Sequence, residues 1–267
     1  MGQIINKVSS EAEKEFISVS TEEIEWLTKK FPKLKYVEGT PSKIEGLLEF
    51  EASYDGNEIF IVEPPEHLPN SVKNVIVDAY NIEIHLIKNE YSSLPQIKET
   101  GNRIIKYAAS KRKPLIDFHI NEKTGTLCLI ESQMEAFHLP NGFNLSDYLF
   151  RLVIPFLYAH SYQEKNNSRP WGEWNHGNLG VLESYSEIRE HESLNQGRVV
   201  NCIKLLKIDK NWDVYKLFLS RENGYKRQWI CTCGSGNKFR KCHLKAYKGL
   251  VMLIRDFESF PEIKTII

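Results

Sequence analysis

Five cysteines, Cys128, Cys202, Cys231, Cys233 and Cys242, are the residues best placed to do chemistry. The number is odd, three crowd near the C-terminus, and no apolar signal core opens the chain, so metal ligation is favoured over a disulfide framework. Residues 231–243 run Cys-Thr-Cys-Gly-Ser-Gly-Asn-Lys-Phe-Arg-Lys-Cys-His. A C-x-C pair, eight intervening residues and then adjacent Cys and His can close a tetrahedral site on Cys231, Cys233, Cys242 and His243. Gly234 and Gly236 permit the tight turn, because glycine tolerates positive φ. Four ligands without an open position imply a structural zinc rather than a catalytic one. Arg240, Lys241, Lys245 and Lys248 can contact acidic protein or nucleic acid. They can also neutralise a centre whose three thiolates outweigh Zn2+ by one charge.

Cys128 lies between Leu127 and Leu129 after a Thr124-Gly125 turn, which alone describes a small buried hydrophobe. Cys202, in Val199-Val200-Asn201-Cys202-Ile203, has no Cys or His at metal spacing and reads as a packing residue.

The surrounding elements follow from periodicity. Thr21-Glu22-Glu23-Ile24 has the character of a helix start, and Pro32 ends that helix. Residues 44–54 alternate apolar and polar, Asp55-Gly56 marks a turn, and 59–62 resume an extended pattern. Val75 to Ile87 reads as a strand with Tyr80, Ile82, Ile84 and Leu86 on one face. Residues 115–130 read as extended. Helical periodicity returns at 144–164, capped by Asn144 or Ser146, then at 178–192 and 196–207. Helix, antiparallel meander, then helices is an α+β order.

Two resemblances sharpen this reading. Residues 231–243 resemble the SEC-C motif, the zinc-binding tail of the bacterial secretion ATPase, which in that family is a portable interaction element. His119-x-Asn121 followed by Gly125-Thr126-Leu127-Cys128-Leu129 resembles the active-site segment of ubiquitin-conjugating enzymes. The chain departs from that family: Ile120 stands where Pro is usual, the His-to-Cys spacing is about one residue short, and the Trp expected soon after the cysteine is missing. Pro170 to Gly180, rich in Trp and Gly, is more like the divergent bacterial relatives found in antiviral islands, cyclic-oligonucleotide operons included.

The resemblance implies a UBC-like domain over 10–195, a helical connector over 196–225, a SEC-C zinc module over 226–250 and a tail over 251–267. It implies a transferase that forms a thioester on Cys128 with a partner's C-terminus and passes it to an amine, in an antiphage setting. The donor would be a ubiquitin-like protein or the C-terminus of a cyclic-nucleotide synthase, with or without an activating enzyme. Asn121 would donate to the oxyanion. On an extended segment it shares a strand face with His119, a scaffold residue. His176, in the Trp- and Gly-rich loop, would approach the cysteine, while Trp171 and Trp174 pack. A silent adaptor acting through its zinc module is one alternative. A cysteine hydrolase using His119, His138 or His176 is a weaker one, since no protease signature is present.

Composition bounds these readings. The 267 residues are 41% hydrophobic, enough for a packed core, and Lys+Arg 35 balances Asp+Glu 35, which argues against a uniformly basic nucleic-acid coat. The balance hides an asymmetry: residues 1–66 hold 7 basic and 14 acidic side chains, and 221–248 hold 8 and 1. Without a membrane-length apolar run, and with Asn6 where a myristoylation site wants Ser or Thr, a cytoplasmic protein is expected.

Overall fold

The computed structural model describes residues 15–69, 71–88, 92–172, 175–220 and 228–267. Helix α1 (Thr21–Lys30) opens on a capping box: Ser20 Oγ accepts from the Glu23 N–H while the Glu23 carboxylate accepts from the Ser20 N–H. The other Glu23 oxygen accepts from the Leu145 N–H at 2.7 Å, so one carboxylate ties two helix starts together.

An antiparallel sheet follows. Strand β2 (Lys43–Tyr54) pairs with β1 (Leu34–Val37) and β3 (Ile59–Ile61) along one edge. Its other edge pairs with β4 (Ile76–His85), which in turn pairs with β5 (Gln96–Glu99). Register sets Leu48 opposite Tyr80 and Ile84 opposite Ile97. Alternation buries Ile44, Leu48, Phe50 and Ala52 of β2 with Tyr80, Ile82 and Ile84 of β4. Gly46, at φ +134°, lies where β1 begins; a Cβ there would stand 2.1 Å from the Lys33 carbonyl oxygen.

Helix α2 (Arg103–Ser110) is not announced by periodicity; Asn102 at its N-cap makes no side-chain capping bond, and Glu99 Oε2 accepts from the Ile104 N–H at 3.2 Å instead. A salt-bridge triad pins it: the Arg103 guanidinium donates to Asp78 of β4 at 2.7 and 2.8 Å and to Glu164 at 2.7 Å, over the Tyr80 ring. The short α3 (Glu135–His138) leads to α4 (Leu145–Tyr148), capped by Asn144, then a π-turn over Leu149–Val153 and α5 (Ile154–Asn166). Pro155 explains the widened turn, since it leaves the Arg151 carbonyl without its i+4 donor. Helix α5 packs on β4 and closes the first core, which runs from Leu27 to Tyr158.

A second core begins at Leu179. It is built by α6 (Asn178–His191), α7 (Gln196–Leu206), α8 (Trp212–Ser220), α9 (Phe239–Cys242) and α10 (Leu244–Glu258), with Ile263 of a closing 3-10 turn. Helix α6 therefore packs with the helices after it rather than with the sheet. The segments read as connector and tail supply Cys202, Ile203, Tyr215, Leu253 and Phe257 to this core. Helices α8 and α10 escaped the periodicity reading. Among the described residues no helix is long and apolar enough to cross a membrane.

One sequence expectation is corrected here. Residues 115–130 are not continuously extended: Leu115–Phe118 form a 3-10 turn that ends on His119 at φ 56°. Pro114 fits the entry to such a turn, and only the isolated bridges Ile120↔Leu127 and Lys98↔Thr126 remain of the strand.

Candidate functional site

Cys128 follows a short loop laid against the edge of the sheet. The Leu127 N–H donates to the Ile97 carbonyl at 2.8 Å, the Asn121 N–H to Thr126 at 2.9 Å and the Cys128 N–H to His119 at 2.8 Å. Between them Asn121 Oδ1 accepts from the Lys123 and Thr124 N–H groups, a side-chain-closed turn, and Gly125 completes it at φ +71°. Side chains alternate across this short paired stretch, so Leu127 is buried and Cys128 is exposed.

The environment does not activate the thiol. Among the described residues, the one hydrogen bond of Cys128 Sγ is a long one, 3.9 Å, to the Ile130 carbonyl. The residue reaches the surface, yet enough protein surrounds the sulfur to desolvate its thiolate; that and then the Glu131 carboxylate push the thiol up from its ordinary value. Glu131 is itself pushed up by desolvation.

The remaining residues singled out by sequence fall as follows. His119 and Asn121 do not share a strand face, because His119 sits in the left-handed region and Asn121 in the turn. Asn121 is exposed, and its Nδ2 makes no hydrogen bond among the described residues, which leaves it as a donor beside the thiol's loop. His176 does come to His119: the ring centroids are 4.7 Å apart, and Phe156 meets His119 edge-on at 6.5 Å. The structure thus joins the two imidazoles to each other. Trp171 packs against Tyr54 and Tyr158, as expected for a packing residue. Trp174 lies outside the described residues, as do the first fourteen residues of the acidic head and residues 221–227 of the basic segment. Cys202 is fully buried in the second core.

Three residues that local sequence did not mark stand close by. Glu131 Oε2 accepts from the Gln133 N–H at 2.9 Å and lies 3.0 Å from Ser184 Oγ on α6. Gln133 is buried, and its Nε2 donates to the Val181 carbonyl and to Ser184 Oγ, each at 3.0 Å. No local pattern announces them, since their partners lie about fifty residues downstream.

The second constellation is the metal-ligand cluster. Ligand atoms of Cys231, Cys233, Cys242 and His243 all lie within 4.8 Å of one another. Cys231 Sγ is 3.1 Å from His243 Nδ1, and Cys233 Sγ is 3.5 Å from Cys242 Sγ. Metal–sulfur bonds of about 2.3 Å at tetrahedral angles would set sulfurs about 3.8 Å apart, so this donor set fits a metal ion with a few tenths of an ångström of opening. A small hairpin presents the first pair: the Cys231 N–H donates to Asn237, the Phe239 N–H to Trp229, and Gly234 and Gly236 turn at φ +83° and +73°. Helix α9 then carries Cys242, and His243 stands at the start of α10. The Ser235 hydroxyl, 3.2 Å from both Cys233 Sγ and Cys242 Sγ, pulls Cys233 down to about 6, while burial pushes Cys231 up to about 12. A metal ion binds thiolates, so it would take the readily lost proton's place at Cys233 first and would have to displace the firmly held proton of Cys231. Of the nearby cations, Lys245 pairs with Glu187 of α6, while Lys241 and Lys248 are exposed.

No family model, no curated protein and no solved structure matches the chain.

Proposed function

We propose that the chain is a thioester-forming transferase of the ubiquitin-conjugating class, with a structural zinc on Cys231, Cys233, Cys242 and His243. The observation that carries this reading is the exposed Cys128 thiol on a hydrogen-bonded turn beside β5, following the meander. The resemblance of residues 119–129 to the family's active-site segment supports it. In the first step the Cys128 thiolate attacks the carbonyl carbon of a partner's activated C-terminus. A C–S bond forms, and the leaving group departs with the electron pair of the bond it loses. In the second an amine attacks the thioester, a C–N bond forms, and the C–S bond breaks to return the thiol once the amine's proton is lost. Asn121 Nδ2 is the donor for both tetrahedral oxyanions. A thiol held protonated at rest resists adventitious oxidation and becomes nucleophilic when the docked donor brings a base.

The partner is therefore a protein C-terminus, from a ubiquitin-like protein or a nucleotide synthase in an antiviral operon. Zinc would supply no step; held by Cys231, Cys233, Cys242 and His243, it would tie the hairpin to α10. A second reading, an adaptor without turnover, is favoured by Ile230 and Leu244, both exposed beside the metal ligands. One experiment separates them. The protein is expressed with its neighbouring gene products and adducts are read by mass spectrometry. The transferase gives a reductant-sensitive adduct on the wild type, a reductant-stable ester on Cys128→Ser and none on Cys128→Ala, with metal content equal in all three. An adduct that survives Cys128→Ala overturns the proposal, and so does its absence from the wild type.

A further inference from the structure

The second core touches the Cys128 loop through a polar junction that packing alone does not require. Glu131 and Gln133 follow the thiol by three and five residues, on the 3-10 turn Ser132–Met134 and its cap. Both reach across to α6. Gln133 Nε2 divides its two protons between the Val181 carbonyl and Ser184 Oγ. Ser184 Oγ has a single proton and lies 3.0 Å from Glu131 Oε2 and 2.9 Å from the Val181 carbonyl of its own helix; donated to Glu131 that proton links the helix to the loop, and Gln133's two donations cross the junction in either case. Ser184 and Gln133 are buried, Ser184 completely. A buried polar group of this kind is costly to leave unmatched, and the junction therefore holds or fails as a unit.

The far side of α6 is gripped as firmly. Helix α10 starts on the metal ligand His243 and crosses α6 at Gly249, so closely that a Cβ there would lie 1.8 Å from the Leu182 carbonyl oxygen. Leu182 is one residue from Val181 and two from Ser184. At the other end of the crossing Tyr185 and Arg189 both donate to Asp256 of α10, at 2.7 and 2.6 Å. Packed backbones and saturated hydrogen bonds leave α6 little freedom to move independently of α10.

From this geometry we infer that Glu131, Gln133 and Ser184 are positioning residues through which the metal-bearing helices hold the Cys128 loop and set the reactivity of its thiol. The inference rests on the reading of Cys128 as the working thiol, and it concerns regulation of that site. The junction keeps the loop closed and keeps a carboxylate beside the sulfur; both effects restrain the thiolate. Loss of the junction opens the loop to water and moves the carboxylate away. Loss of the metal frees the start of α10 and acts in the same direction.

The test measures the thiol without any acyl donor. Iodoacetamide alkylation of Cys128 is followed by mass spectrometry across a pH series on the full chain, together with amide hydrogen exchange over residues 129–135. Ser184→Ala should raise exchange there roughly tenfold, the effect of one lost buried hydrogen bond, and should speed alkylation at neutral pH several-fold, on the order of three- to tenfold. Glu131→Gln keeps the shape and removes the charge. It should leave exchange near wild type while moving the alkylation profile down by roughly half to one pH unit. Removing the metal with a chelator should reproduce the Ser184→Ala pattern. Cys202, fully buried, monitors the second core: its resistance to alkylation certifies that each sample is folded. Should Ser184→Ala destabilise too far to meet that check, Ser184→Thr, which keeps the hydroxyl, and Gln133→Glu, which removes the donor, supply the comparison. Wild-type exchange and alkylation in Ser184→Ala or Gln133→Glu overturn the inference, as does Cys128 reactivity indifferent to the metal in a protein whose Cys202 stays protected. The thioester assay is independent: positioning can fail while Cys128 still forms an adduct, and positioning can hold in a protein that forms none.

Discussion

Replacing Gly249 by alanine tests the seam between α6 and α10 on which the second core depends. An ideal Cβ at this position lies 1.8 Å from the Leu182 carbonyl oxygen and 2.8 Å from its carbon. Non-bonded atoms settle near about 3.5 Å, so the two helices must part by about 1.5 Å. The obstacle is backbone, and no rotamer relieves it. A gap of even 0.5–1 Å forfeits roughly a quarter to a half of the dispersion attraction across it. Along this seam Ala246, Leu250 and Leu253 of α10 are completely buried with Leu182 and Tyr185 of α6. Alanine returns about 1 kcal/mol through helix propensity. The net expectation for Gly249→Ala is a loss on the order of 3 kcal/mol. Urea denaturation followed by tryptophan fluorescence reads it, because Trp229 is buried in the second core and Trp212 packs against it. Gly172→Ala is the control: among the described residues a Cβ there meets nothing within 4 Å, and its stability should stay within about 0.5 kcal/mol of the parent. A Gly249→Ala protein as stable as that control would refute the close crossing.

Metal analysis of the purified protein should find one zinc ion per chain, and none in the Cys231→Ser/Cys233→Ser double variant; equal zinc in both would exclude the cluster as its site. His160 is buried between Phe118 and Phe156, its Nε2 has no hydrogen-bond partner among the described residues, and desolvation, then Arg169 and His119, lower its pKa well below the ordinary value. The unfolded chain binds that proton near pH 6.5 and the folded one does not. Stability is therefore full above that value and falls as pH drops below it, by at most about 1.4 kcal/mol per pH unit. His160→Phe should flatten the slope between pH 7 and 5 in denaturation midpoints, and an unchanged slope would contradict the assignment. Cys202→Ala should cost about 1 kcal/mol by denaturation and leave Cys128 adducts intact; loss of adducts in that folded variant would give Cys202 a role beyond packing.

What sequence alone determined is local. The capped start of α1, the period-two faces of β2 and β4, the Asn144 cap and the helices at 178 and 196 are all written within a few residues of where they form. The metal ligands are legible for the same reason: C-x-C and Cys-His sit within thirteen residues, and glycines at the turn let the chain bring them together. Tertiary structure decided the rest. The 3-10 turn before His119 replaced an expected strand, because short pairing along the sheet edge left Leu115–Phe118 no partner strand of their own. Helix α2 depends on Asp78 and Glu164, 25 and 61 residues from Arg103, and no window of helical periodicity contains them. Nor did sequence place His176 on His119, or Glu131 and Gln133 on Ser184. Such contacts join segments far apart in the chain, where a single buried polar partner outweighs local propensity, and only the packed chain brings that partner within reach.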